Sequence, residues 1–192
     1  MSETAKYRQE LVPYCDGYGI DVGYGGDPII DSAITVDMPQ PYTHLGEHPL
    51  NLGGDARDLK WFDDNVLDYV YSSHCLEDFE DTESLLKEWL RVLKPKGRLV
   101  LLLPDQKRYE DYCRKVGAEP NPGHKIKEFG LLYIKQVLNK FPYAEILAEK
   151  DFLEEYNFYI VLQKKIPTHR SKLRKWIQKL GIERSEWYGK AS

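Results

Sequence analysis

The residues best able to do chemistry gather early in the chain, in Gly19-Ile20-Asp21-Val22-Gly23-Tyr24-Gly25-Gly26-Asp27-Pro28. A short β-type run leads into glycines there. Glycines at the carboxyl end of a parallel strand let the backbone approach a ligand closely, because no Cβ stands in the way. Two more acids follow at similar intervals: Asp37 comes sixteen residues after Asp21, and Asp55 eighteen residues further on. A carboxylate at the second strand end can accept from both hydroxyls of a ribose, and one at the third can accept from an adenine amino group. Taken singly, each acid reads as a solvated turn residue. Three at successive strand ends would converge on the crevice where open α/β sheets bind ligands. A dinucleotide site would use Gly23, Gly25 and Asp37 too, but it meets Pro28 where GxGxxG wants its third glycine and leaves Asp55 unexplained.

The elements that must position these residues follow from the pattern of apolar side chains. Residues 20–22 and 33–36 read as short buried strands, 50–52 as a weaker one and 66–71 as another. Asp81 or Thr82 then caps a helix whose Leu85, Leu86, Trp89, Val92 and Leu93 share one face, with Pro95 and Gly97 as its stop. Residues 98–103, four leucines and a valine among them, form a strand apolar on both faces, and strand, helix and strand make a βαβ unit of a parallel sheet. A second helical pattern runs over Leu131, Leu132, Ile134, Val137 and Leu138. The β-type runs 144–148 and 158–163, joined by the acidic segment 149–156, read as an antiparallel pair at the sheet edge. Only ten residues separate Val22 from Ala33, too few for an ordinary helical crossover, and two prolines open the stretch 39–53. The first helices are therefore expected to be shortened or absent, with apolar surface left over for a lid, a partner or a homo-oligomer.

The stretch 20–28, the acids Asp37 and Asp55, the run Leu67-Asp68-Tyr69-Val70-Tyr71-Ser72-Ser73-His74-Cys75-Leu76-Glu77 and the segment Glu88-Trp89-Leu90-Arg91-Val92-Leu93-Lys94-Pro95-Lys96-Gly97-Arg98-Leu99 together resemble the class I methyltransferases that use S-adenosylmethionine (SAM), within them the methyltransferase type 11 group. The resemblance implies an α/β, Rossmann-like fold: a mostly parallel sheet with a C-terminal antiparallel strand pair. It also implies SAM as cofactor, with S-adenosylhomocysteine as product. By the same likeness Gly23 and Gly25 pass under the methionine part, Asp37 takes the ribose, Asp55 the adenine amino group, and Ala56 offers a backbone NH. Asp21, Tyr24, Met38, Arg57 and Ser72 complete the expected pocket. Similar family members often accompany sugar or cell-envelope biosynthesis.

His74 follows the fourth strand, where the methyl group would face its acceptor. It reads either as a general base oriented by Glu77 or Asp78, or as a hydrogen-bond partner of the loop or of the SAM carboxylate. Asp105, Tyr109 and His124 are further candidates to line an acceptor pocket. The alternative to an enzyme is a non-catalytic SAM-binding or partner-binding subunit.

Composition limits the remaining choices. The 192 residues, 42% of them apolar, suit one domain over 1–165, followed by a basic amphipathic helix and tail over 166–192. From residue 164 onward nine Lys and Arg face two Glu, although the whole chain carries a net charge of −4. An acidic body favours a small-molecule acceptor over nucleic acid. The tail, with Leu173, Trp176, Ile177 and Leu180 at helical spacing, could touch an anionic membrane surface. Three cysteines without a CxxC pair, and five histidines without ligand spacing, give no reason to expect a disulfide or a metal. No secretory signal and no transmembrane run is read, so a cytoplasmic location is expected.

Overall fold

A computed structural model describes residues 2–40 and 48–167. Helix α1 (Glu3–Leu11) precedes the short strands β1 (Gly19–Val22), β2 (Ile34–Asp37) and β3 (Leu52–Gly53). Strand β4 (Leu67–Ser73), helix α2 (Thr82–Val92) and strand β5 (Leu93–Pro104) form the expected βαβ unit, followed by helices α3 (Gln106–Val116) and α4 (Leu131–Leu138) and strands β6 (Ala144–Lys150) and β7 (Asn157–Lys164). The seven strands form one sheet in the order β3-β2-β1-β4-β5-β7-β6. The first five run parallel, and β7 pairs antiparallel with both β5 and β6. The Rossmann-like class and the antiparallel pair are as the sequence predicts. The part of the predicted tail from residue 168 on lies outside the described residues, as do residues 41–47 of the stretch 39–53, where a shortened or absent helix is expected.

Burial explains the order. Along β5, Leu99, Leu101 and Leu103 face one cluster while Val100 and Leu102 face the other, so this central strand is buried on both faces. On the first face α2 contributes Leu85, Leu86, Trp89 and Leu90, and α4 contributes Ile134 and Val137. Asp81 caps α2 by accepting from the Ser84 amide at 3.0 Å. That helix ends at Val92, earlier than Pro95 and Gly97 suggest, because Leu93 turns extended and pairs with Leu67.

The other face departs from expectation. No helix joins β1 to β2, as the short crossover predicts, yet the apolar surface it might leave open is covered. Tyr7 and Leu11 of α1, with Ile29 and Ala33 of the crossover, pack onto Tyr69, Tyr71, Val100 and Leu102. The sequence reading did not include α1, although Ser2 accepts from the Ala5 amide as its N-cap, and Thr4, Tyr7 and Leu11 have helical spacing. Arg8 of α1 donates to the carbonyls of Pro28 (3.1 Å) and Ile29 (3.2 Å) and ion-pairs with Asp27. The crossover is thus clamped from outside by a guanidinium fork.

From inside it is held by Asp21. The side chain is fully buried and its Oδ2 accepts from the Ile29 amide at 2.7 Å, while Oδ1 has no hydrogen-bond partner among the described residues. Burial pushes this carboxyl up to about 8, against the Ile29 hydrogen bond and helped by Asp27 and Asp37. A carboxyl raised in the folded state binds its proton more tightly there than in the unfolded chain, so it withdraws stability as pH rises from about 4 toward about 8. Asp21→Asn keeps an acceptor for Ile29 and removes the charge. Its melting temperature is expected to exceed the parent's above pH 7, and the gap is expected to shrink on going to pH 5, as read by circular dichroism melts across that range.

Candidate functional site

The carboxyl ends of β1, β2 and β4 frame a cleft of about 480 Å³, a size suited to a small organic ligand. Its floor is Gly23 and Gly25, its near wall Val36, Asp37, Met38 and Pro39, and its far wall Gly54 to Arg57; His74, Cys75, Asp78 and Phe79 close the other end. Of the residues singled out from sequence, the structure brings Gly23, Gly25, Asp37, Met38, Asp55, Ala56, Arg57 and His74 to this one cleft.

The floor is set by a close approach. Gly23 has φ +70°, its amide donates to the Val36 carbonyl at 2.8 Å, and a Cβ built on it would lie 2.7 Å from the Cβ and Sγ of Cys75. Only hydrogen fits between the turn after β1 and the chain after β4. Asp37, at the end of β2, accepts from the Met38 amide at 2.7 Å and from the Gly25 amide at 3.2 Å. A carboxylate has about four acceptor sites, which leaves two for a ligand.

The far wall is braced from below by α2. The Trp89 indole donates to the Ala56 carbonyl at 2.8 Å, Glu88 accepts from the Leu59 amide at 2.9 Å, and Arg91 donates to the carbonyls of Phe62 (2.9 Å) and Leu59 (3.3 Å). On this platform Asp55 accepts from both the backbone and the guanidinium of Arg57, at 2.8 and 2.9 Å on Oδ1. Those hydrogen bonds hold the Asp55 carboxyl below its ordinary range. Both side chains are well exposed, so the pair adds little stability, and its effect is to fix the carboxylate's direction. Arg57 also lies over the Phe79 ring, 5.8 Å from the centroid.

Three expected pocket residues are placed elsewhere. Asp21 lies beneath the crossover, held by Ile29. The Ser72 hydroxyl, fully buried, donates to the Val22 carbonyl at 2.8 Å and stitches β4 to β1. Tyr24 is buried and its hydroxyl donates to the His48 carbonyl at 3.0 Å. Strand alternation accounts for Asp21, which shares a face with its register partner Tyr71. Sequence reasoning also missed Cys75 and Phe79, which sit beside His74 with no spacing to mark them.

His74 adopts φ +50°, an uncommon conformation for a residue with a Cβ. Its Nε2 lies 2.8 Å from Asn157 Oδ1, and its Nδ1 lies 3.6 Å from Glu77 Oε1, too far for a hydrogen bond. The contact with Asn157, not Glu77, orients the ring. Burial holds the imidazole below its ordinary value, opposed by the nearby Glu3 carboxylate. Glu77 is almost wholly buried and its carboxyl is raised well above the usual range by that burial, with Oε2 lacking a partner among the described residues. His124 Nε2 stands 3.9 Å from the same Glu77 oxygen. Tyr109 and His124 stack at 4.8 Å, and Asp105 caps α3 by accepting from the Arg108 amide, so none of these three lines the cleft. Among the described residues no group of three or more His, Cys, Asp and Glu could hold a metal ion, and no helix is long and apolar enough to cross a membrane.

Fold and cleft together define a Rossmann-like sheet of the methyltransferase type, with the ligand crevice at the parallel strand ends. Residues 35–101 match the family model described as Methyltransferase domain, in agreement with the resemblance to the type 11 group. Among solved structures, the chain is similar to a SAM-dependent methyltransferase from Archaeoglobus fulgidus, with TM-score 0.64, 20% identity, and 84% of this chain and 92% of that one covered. It is similar as well to a chain of the complex between the Haloferax volcanii Trm112 methyltransferase activator and a methyltransferase (TM-score 0.62, 15% identity, 86% and 90% covered). A third likeness is to a SAM-dependent methyltransferase from Aquifex aeolicus (TM-score 0.57, 12% identity, 84% and 89% covered). No curated protein matches the chain in sequence.

The Gly23 contact is open to a direct check. Gly23→Ala forces both a left-handed alanine and a shift of Cys75, and is expected to lower the unfolding free energy by roughly 1–3 kcal/mol in urea titrations.

Proposed function

We propose that this protein is a methyltransferase that binds SAM along the cleft and transfers the methyl group to a small-molecule acceptor. The observation that carries the reading is the placement of Asp37, the Asp55–Arg57 pair and His74 on one cleft. The residues present fit an adenosyl group: a carboxylate with two acceptor sites to spare, apolar walls from Met38, Pro39, Ala56 and Phe79 for a purine, and an oriented carboxylate beyond them. Bound there, the cofactor supplies an electrophilic methyl group and leaves as S-adenosylhomocysteine.

The chain's own residues do the rest. Asp37 would take the ribose hydroxyls and Asp55 the adenine amino group, and the backbone at Gly23 and Gly25 would hold the methionine part. His74 would take the proton of an acceptor that enters beside it. The depressed basicity of His74 keeps the ring neutral, and therefore able to take a proton, at neutral pH. The acidic balance of residues 1–163 favours a small acceptor over nucleic acid.

Calorimetry with SAM and with S-adenosylhomocysteine tests the cofactor. Asp37→Ala removes an acceptor for two hydroxyls and is expected to weaken binding by about 2–4 kcal/mol, roughly 30-fold to 1000-fold. Asp55→Ala is expected to weaken it by about 1–2 kcal/mol. No detectable heat with the parent protein would end the proposal. His74→Ala is expected to bind SAM normally while methylation of the acceptor found by screening falls at least ~100-fold. Full turnover in that variant would remove the base role and leave the cofactor reading intact.

A further inference from the structure

The contacts behind His74 decide which of its two nitrogens can take a proton. Asn157 is fully buried, and its side-chain amide has three hydrogen-bonding partners. Its Nδ2 lies 3.0 Å from Glu3 Oε2 and 3.3 Å from the Tyr7 hydroxyl, and its Oδ1 faces His74 Nε2 at 2.8 Å. An amide carries donors on one side and an acceptor on the other, so the nature of Glu3 fixes which way round it sits. Burial opposes ionisation of Glu3, but His74, Lys6 and Asn157 outweigh it and hold the carboxyl below its ordinary value. Glu3 is therefore an anion that only the NH2 side of Asn157 can face. The Oδ1 side is left for His74, and an oxygen that only accepts demands an N–H on Nε2.

We infer that Asn157, oriented by Glu3 and Tyr7 of α1, is a positioning residue that holds neutral His74 in its Nε2–H tautomer and makes Nδ1 the nitrogen that accepts the proton. The inference rests on the proposed base role of His74 for its meaning, but the tautomer itself is independent of any reaction.

The surroundings of Nδ1 agree with this. The second histidine shows the same arrangement in mirror form: Gln106 donates through Nε2 to Glu110 at 3.0 Å, so its Oε1 accepts from His124 Nδ1 at 2.7 Å and the lone pair lies on His124 Nε2. Glu77 Oε1 thus stands between two ring nitrogens that bear lone pairs, at 3.6 and 3.9 Å, and a protonated carboxyl suits that position. Burial raises the Glu77 carboxyl well above its ordinary range and favours that form, and at 3.6 Å Glu77 makes no hydrogen bond that would orient His74. The charged and titratable groups facing His74 are then Glu3 and Lys6 of α1, the Glu77 carboxyl and His124. The Tyr156 ring completes the enclosure, 6.0 Å from the imidazole and edge-on.

The tautomer is measurable without an acceptor. In protein labelled with 15N histidine, two-bond proton–nitrogen correlation spectra at pH 8, with His74 assigned by loss of its signals in His74→Gln, are expected to show one species with the proton on Nε2. Asn157→Leu, which removes the acceptor at similar size, is expected to give a mixture of both tautomers. Glu3→Gln removes the charge that orients the amide and one that favours the imidazolium. It is expected to populate the second tautomer and to lower the His74 titration midpoint, and it keeps the test open if Asn157→Leu does not fold. A proton on Nδ1 or an even mixture in the parent protein overturns the inference, and so does an unchanged single tautomer in both variants. If the tautomer responds as expected while His74→Ala methylates its acceptor at full rate, the positioning stands and the base role falls.

Discussion

Every feature of the site depends on how closely the turn after β1 passes the chain after β4. A single Cβ at Gly23 would collide with Cys75, and the Gly23 amide is tied to Val36 of β2 on the other side. Held between its two parallel neighbours, β1 brings the ends of β2 and β4 within reach of one ligand-sized space. Asp37 and His74, 37 residues apart in the chain, line the same cleft for that reason. A bulkier turn would separate them and leave two unrelated surface residues.

The sheet achieves this although its first crossover contains no helix. Two devices replace that helix: a buried carboxyl that accepts from Ile29, and a guanidinium on α1 that gathers the carbonyls of Pro28 and Ile29. Burying Asp21 is unfavourable for its charged form, so the group stays protonated over part of the neutral range and serves as a polar peg instead of a ligand contact. The same α1 that covers the exposed face also carries Glu3 to Asn157, so the repair of the fold and the chemistry of His74 share one helix. On the opposite face α2 has a matching double role. Its apolar side fills the core while Glu88, Trp89 and Arg91 hold the segment that presents Asp55.

Glu77, His74 and His124 illustrate how burial reverses ordinary expectations for charge. In water at neutral pH a carboxyl between two imidazoles would be an anion and the rings would be partly charged; here burial favours the neutral form of all three. The side-chain amides of Asn157 and Gln106 take up the ring nitrogens that face away from the carboxyl. Hydrogen-bond polarity, more than charge pairing, then sets where protons sit.

Apart from α3, the amino-acid sequence by itself determined the alternation of strands and helices from β4 onward, the antiparallel final pair and the acids at or just after the ends of β2 and β3, because apolar periodicity and glycine placement are local signals. Helix α3 is not read from the sequence, because its buried residues are just Gln106 and Cys113, too few to show a period. Tertiary structure alone decided that Asp21 and Ser72 serve the sheet and not the cleft, since the face a strand residue takes depends on its register with its neighbours. It alone decided what orients His74: Asn157 lies 83 residues away and Glu3 another 154 from Asn157, and a hydrogen bond between such distant positions leaves no periodic trace in the order of residues.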